Sequence, residues 1–466
     1  MHLPPGVRAR AFRKLSTLLK PGGVILMSLR EGPSEPDRPM WPAPAGEIEA
    51  FARAHGLAVL RSVTTPDQLG RADVLWTSMC LRLPDGAEAL PLLRGVILSD
   101  EKSSTYKLGL LRAVARVADA TPALATPCLD EDAVEIPLGI VALNWIRMYL
   151  PLVTAGLPQM PGNSGPDGLS FAKAGFRALM AHNIASQDLR MGAQFAGERA
   201  AAVGRALSEA RRTIADMPAN YTRFPNSDVK VFGATPATPP RFSGELSLDV
   251  EVLGALGSLT VPGHIWRTLQ RLGSWVEPVL VSEWARLVRS YGERMGQLIV
   301  QGEVEAALAW LDPARDTQLA RSAAKRMLDK GQRLNCVWTG IALRPGTLDI
   351  DHCLPWSAWP CSDLWNLLPA LPQVNQDLKR SRLPSASALA GARESIIAWW
   401  QDAWLADPAL RTRFERETMA ALPVGSGAST GDVFAALEWR RLRLRQDQQV
   451  QEWAGARSPE APTSPG

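Results

Sequence analysis

Between Cys336 and Leu383 the chain sets Asp351-His352, Asn366, Asn375 and Lys379 among Val337, Trp338, Leu348, Ile350, Leu354, Trp356, Trp359, Trp365, Leu367 and Leu368. Ten large apolar side chains in so short a stretch predict a small compact core around the polar ones. Leu348 to Leu354 alternates in part and reads as a strand carrying Asp351 and His352 near its end. A loop with Pro355, Pro360 and Ser362 follows, then a second short strand over Trp365 to Leu368. Pro369 and Pro372 break that strand, and Gln373 to about Arg380 reads as a helix. Adjacent strand residues point to opposite faces, so Asp351 and His352 share one site only where the strand end bends or twists.

The order strand, strand, helix comes with fixed steps: fourteen residues from His352 to Asn366 and nine from Asn366 to Asn375. Pro355 lies three after the histidine, C-x-x-T-G occupies 336–340, and Asn366-Leu367 completes the pattern. Together these features resemble the HNH endonucleases, the ββα-metal fold, across about 45 residues. The resemblance implies hydrolysis of DNA phosphodiesters with one divalent ion, Mg²⁺ or Mn²⁺. Position by position, it implies His352 as the base that takes a proton from water and Asn366 as the residue that orients its loop. It implies Asp351 and Asn375 as oxygen ligands of the metal. The chemistry agrees with the residue types. A neutral imidazole accepts a proton near pH 7, and Mg²⁺ takes oxygen ligands while keeping several waters. No histidine other than His352 follows His264.

Two features depart from the common form. Asparagine rather than histidine stands at the last metal position. Asp349, on the same strand face as Asp351, adds a carboxylate expected in an outer or alternative ligand role. Lys379, Arg380 and Arg382 are expected at phosphates. Cys336, Cys353 and Cys361 lack the paired CxxC spacing of a zinc site, so they read as buried apolar cysteines.

Elsewhere the sequence is less specific. The chain has 466 residues, a net charge of +4 and a pI near 8.9, compatible with a nucleic-acid partner. Its five cysteines show no framework spacing, which suits a reducing, cytoplasmic compartment. No apolar run is long enough to span a bilayer, and no membrane association is expected.

Residues 1–85 read as a helix (Arg8 to Leu19), a Lys20-Pro21-Gly22-Gly23 turn, a strand from Val24 to Leu29, and a helix from Glu47 to His55. Two more strands follow, over Leu57 to Thr65 and Val74 to Leu83. This order resembles the later half of a class I S-adenosylmethionine-dependent methyltransferase. That family's glycine-rich cofactor turn has no counterpart here, so no S-adenosylmethionine binding is expected of this chain. A methyltransferase-related protein, inactive alone, is the alternative role that this stretch supports.

The middle region, 90–310, reads as mainly helical. Ser103-Ser104-Thr105 is placed to cap a helix to about Ala118. Lys102, Lys107, Arg112 and Arg116 there read either as a phosphate-contacting surface or as an ordinary solvated face. Further helices are predicted over Ile136 to Tyr149, Phe171 to Met180, Arg190 to Met217, Ile265 to Leu272 and Val279 to Leu298. Loops or linkers are predicted at 161–168 and 234–240. After the motif, helices are expected over Glu394 to Leu405, Arg411 to Leu422 and Phe434 to Trp453. The last sets Trp439, Leu442 and Leu444 against Arg440, Arg441, Arg443 and Arg445.

The sequence thus predicts an α+β multidomain, mainly helical chain. Its parts are a partial methyltransferase-like piece (1–85), a helical domain (90–310) and an HNH nuclease domain (312–385). A helical extension (386–453) and a disordered tail (454–466) complete it. The expected partner is DNA, with a homodimer or an accessory subunit required to break both strands. A non-catalytic DNA-binding module of a defence or mobile-element system is the other alternative.

Overall fold

A computed structural model describes residues 3–20, 22–33, 41–128, 131–161, 174–238, 244–311 and 315–455. The loop expected at 161–168, the start of the Phe171 helix and most of the C-terminal tail lie outside these residues. The fold is mixed α+β and mainly helical, and it divides into two compact units, 1–90 and 91–466.

In the first unit, helix α1 (Pro5–Leu18) leads into β1 (Val24–Glu31), then α2 (Ala45–Ala54), β2 (Ala58–Pro66) and β3 (Leu75–Arg82). Gly22 allows the entry turn by adopting φ +80°, and its amide bonds to the carbonyl of Leu83 at 2.8 Å. The strands form an antiparallel sheet in the order β1-β3-β2. Phe12, Ile48 and Ala52 from the helices pack on Leu29, Met79 and Leu81 from the sheet. Arg8 is buried and joins the two helices through Glu47, at 2.6 Å.

The helical body of the second unit is organised around the helix Leu138–Thr154. Nearly every residue of that helix is buried, as expected for a helix apolar on all sides. It packs against helices Tyr106–Ala120 and Gly197–Asp216. Gly109 lets the ring of Tyr149 approach where an added Cβ would stand 2.8 Å from it. A four-stranded antiparallel sheet flanks this core, and its strands include Ala133–Pro137, Gly257–Pro262 and Gly233–Pro236.

Several sequence expectations are corrected here. The stretch expected as a linker at 234–240 contributes the strand Gly233–Pro236, which pairs with Gly257–Pro262. The helices expected over 265–272 and 279–298 are one helix, Gly263–Arg294, which carries Pro278 inside it. Thr105 does not cap with its side chain. Its hydroxyl turns inward to Tyr149 Oη at 2.9 Å and donates to Gln159 Oε1 at 2.8 Å.

The cations of that region have protein partners rather than an open face. Arg112 is 2 % exposed and donates to Glu277 at 2.8 Å and to the carbonyl of Leu308 at 2.7 Å. Arg116 shares Glu277, and Lys107 pairs with Asp100. Burial of Arg112 makes its pairing with Glu277 obligatory, while Lys107 and Arg116 keep part of their surface in water.

The C-terminal helix Thr430–Gln448 also differs from its pattern. Arg440 and Arg441 are buried while Trp439 is exposed. The Arg440 guanidinium stacks 4.0 Å from the Trp359 ring centroid and donates to the carbonyl of Asp119 at 3.0 Å. One side chain therefore touches both the loop of the polar centre and the helical body.

Candidate active site

Two short strands, Asp349–His352 and Leu367–Ala370, pair antiparallel, with Asp351 opposite Leu368 and His352 opposite Leu367. All eight residues are buried. The following helix, Gln373–Lys379, is wound as a π-helix and ends at Arg380, whose φ is +54°. Helix Gln318–Asp329 supports the strands from the other side, and helix Arg393–Trp400 seals the core. Trp399 and Trp400 there donate to the carbonyls of Leu367 and Trp365, at 2.8 and 3.1 Å.

His352 is 2 % exposed. Its Nε2 lies 3.5 Å from Ser362 Oγ, and its Nδ1 is buried with no hydrogen-bond partner among the described residues. The Trp356 ring stands edge-on at 5.5 Å between centroids. Burial, then the charges of Arg315 and Lys379, lowers the imidazole pKa to about 4, so the ring is neutral at pH 7. Ser362 Oγ already accepts the amide of Asp316 at 3.1 Å. The serine hydroxyl can pair with either tautomer of the ring, and the one protonated on Nε2 leaves the lone pair on Nδ1.

Asn366 is fully buried and makes three hydrogen bonds to the histidine's loop. It accepts from the amide of Leu354 at 2.8 Å and donates to the carbonyls of Leu354 and Cys361 at 3.2 and 3.0 Å. The ladder continues as Cys353 N–H donates to the carbonyl of Asn366 at 2.8 Å.

The two carboxylates hold the helix to the strand. Asp349 Oδ1 accepts from Arg321 at 2.8 Å and from the Ile350 amide at 2.9 Å. Its Oδ2 accepts from Asn375 at 2.9 Å and from Gln376 at 3.0 Å. Burial opposes ionisation of Asp349, but the Gln376, Asn375 and Arg321 donors outweigh it and hold the carboxyl below its usual range. Asp351 is 1 % exposed, with Lys379 Nζ on Oδ1 at 3.0 Å and Trp338 Nε1 on Oδ2 at 2.8 Å. Burial pushes its pKa up, and the Lys379 ammonium acts against that.

Lys379, expected at a phosphate, points inward here. It is fully buried, and its ammonium bridges Asp351 and the carbonyl of His352 at 2.7 Å. Asp351 is the buried counter-ion of that lysine, with one donor on each oxygen. Asn375 directs its amide nitrogen at Asp349 and at the carbonyl of Ile350, at 3.2 Å. Arg382 turns back onto the carbonyls of Leu378 and Lys379, whereas Arg380 is exposed. Cys336, Cys353 and Cys361 are buried free thiols. Sequence reasoning assigned no site role to Trp338, Ser362 or Arg315. Trp338 passed for core, and Ser362 and Arg315 lie outside the strands and helices that carry the other site residues.

Comparison with known families agrees with this geometry. Residues 336–385 match the family model of the HNH endonucleases. The chain carries an HNH endonuclease domain. That domain makes the chain a nuclease, a hydrolase, and implies DNA as its substrate. Residues 86–308 match a family described as a domain of unknown function (DUF8808). No curated protein and no solved structure matches the chain. Nothing in the comparisons supports the methyltransferase resemblance of residues 1–85, which lie outside both matched regions. Among the described residues, no helix is long and apolar enough to cross a membrane.

HNH nucleases generally use a divalent metal. The oxygen donors here are of the right chemical kind, but a directly bound ion needs lone pairs it can reach. Four N–H donors occupy Asp349 and two occupy Asp351. Among the described residues, no group of three or more His, Cys, Asp or Glu side chains is arranged to hold a metal. Asp349 is saturated by its four donors, whereas each Asp351 oxygen keeps a lone pair and Asn375 Oδ1 accepts no hydrogen bond among the described residues, so Asp351 and Asn375 are the oxygens that could hold an ion.

Proposed function

We propose that residues 336–385 hydrolyse DNA phosphodiester bonds with His352 as the general base. The observation that carries this reading is the unpartnered Nδ1 of a buried, neutral imidazole within the matched HNH region. Nδ1 takes a proton from water as the water oxygen attacks phosphorus. The bond from phosphorus to the 3′ oxygen breaks, the electron pair leaves with that oxygen, and a solvent proton completes the 3′-hydroxyl.

Asn366 positions the loop that follows His352, since all three of its side-chain bonds end there. Asp349, Asn375 and Gln376 clamp the helix to the strand, and Asp351 with Lys379 fixes the strand's end. One such site cuts one strand at a time, so duplex breakage requires a second copy or a partner subunit.

The test is cleavage of supercoiled plasmid by the full chain with Mg²⁺, with Mn²⁺ and with EDTA, comparing wild type with His352→Ala and Asn375→Ala. Nicking that disappears in His352→Ala supports the reading, and nicking that persists unchanged in that variant refutes it. DNA binding by wild type without any cleavage favours a non-catalytic binding module.

A further inference from the structure

Charge builds on the phosphate oxygens as water attacks, and something in the site must meet it. Most cations around His352 are committed elsewhere. Lys379 is fully buried on Asp351 and the carbonyl of His352. Arg321 is held by Asp349 and by the carbonyl of Leu348 at 3.0 Å. Arg382 turns back to its own helix, and Arg440 lies on the Trp359 ring.

Arg315, like Arg380, is not committed in this way, and of the two it alone adjoins a backbone amide bonded to Ser362. It is exposed, and it forms no ion pair or hydrogen bond among the described residues. The backbone next to it is anchored at the site. The amide of Asp316 donates to Ser362 Oγ at 3.1 Å, and the same Oγ lies 3.5 Å from His352 Nε2. The Asp316 carboxylate does not neutralise Arg315, because it caps the next helix by accepting the amide of Gln318 at 2.8 Å.

We propose that Arg315, which lies outside the matched HNH region, binds the scissile phosphate of the DNA beside His352. A guanidinium suits this role, because its planar fork donates two N–H groups to two phosphate oxygens and its charge persists at any working pH. The proposal rests on the nuclease reading of His352 and adds a residue that the motif does not include. It also makes the segment leading into the nuclease domain part of the site.

The experiment is single-turnover cleavage of duplex DNA by the full chain, comparing wild type with Arg315→Ala, Arg315→Lys and His352→Ala. Removing one charge-stabilising donor is expected to slow Arg315→Ala by about 100-fold, with lysine recovering about tenfold of that loss. Binding is measured in the His352→Ala background, where Arg315→Ala should lower the slope of log affinity against log salt by about one. Cleavage and salt slope both unchanged in Arg315→Ala, while His352→Ala is inactive, overturn the proposal and leave the nuclease reading intact. A loss that lysine does not recover, accompanied by a lower melting temperature, also overturns it, since fold rather than charge would then explain the effect. Undiminished cleavage by His352→Ala refutes the nuclease reading instead.

Discussion

Asn366 has three hydrogen bonds and no exposed surface, so its removal has a calculable effect. In Asn366→Ala the Leu354 amide keeps no acceptor and two carbonyls lose their donor, all of them buried. An unsatisfied buried donor costs about 1–3 kcal/mol, and the carbonyls and the small void add to it, for about 3 kcal/mol in all. The cost falls on the segment from Cys353 to Leu364, which connects the two strands and holds Ser362 near the imidazole. At about 1.4 kcal/mol per factor of ten, local opening should become about 100-fold more frequent. Hydrogen exchange followed on peptides spanning that segment reads this directly, and cleavage should fall because His352 loses its fixed position.

Asn366→Asp sharpens the test. The introduced carboxyl can still accept from Leu354, but its second oxygen faces two carbonyl oxygens, so ionisation is opposed and its folded-state pKa rises. A group with a raised folded pKa gives stability below its unfolded pKa of about 3.9 that is lost as pH rises through the folded value. Relative to wild type at the same pH, this variant should therefore lose more protection at pH 8 than at pH 5. Exchange within threefold of wild type in Asn366→Ala, with full cleavage, would refute the reasoning.

Other expectations follow from the same contacts. Because the His352 imidazole is held at about 4, the cleavage rate should stay level from pH 8 to about pH 5 and fall only below that; a half-maximum near 6.5 in the pH–rate profile contradicts this. The same depressed pKa makes the buried neutral ring a source of acid sensitivity, with stability lost as pH falls from 6.5 toward 4, measurable as a melting temperature that His352→Phe makes less pH-dependent. Lys379→Met leaves the Asp351 charge buried without its counter-ion and should cost about 3–5 kcal/mol in denaturant unfolding, and adding Asp351→Asn should recover much of it. Arg440→Ala should loosen both the Trp359 loop and the contact with Asp119, lowering the melting temperature and raising exchange in the loop.

The site was legible where the signal is local. The steps from His352 to Asn366 and Asn375, with the apolar alternation around them, place two strands and a helix, and those elements stand in that order. The reading ran out where charges choose partners across long separations. Asp351 and Lys379 are 28 residues apart, Arg112 and Glu277 are 165 apart, and Arg440 and the carbonyl of Asp119 are 321 apart. A cation in a sequence carries no mark of whether packing will leave it in water or enclose it. Lys379 was expected at phosphates and Arg112 at phosphates or solvent, and Arg440 stood opposite the apolar residues of its helix, yet each is buried. The cause is desolvation. Once apolar neighbours close around an ammonium or guanidinium, it must find a carboxylate, a carbonyl or an aromatic face within reach. Near His352 this has an electrostatic consequence. The motif's own helix brings Lys379 and the preceding helix Gln318–Asp329 brings Arg321, and both pair with the motif's carboxylates. Two exposed arginines, Arg380 in the motif and Arg315 before it, stay free of ion pairs among the described residues, and the Ser362 anchor next to Arg315 is what favours it as the phosphate contact in our proposal.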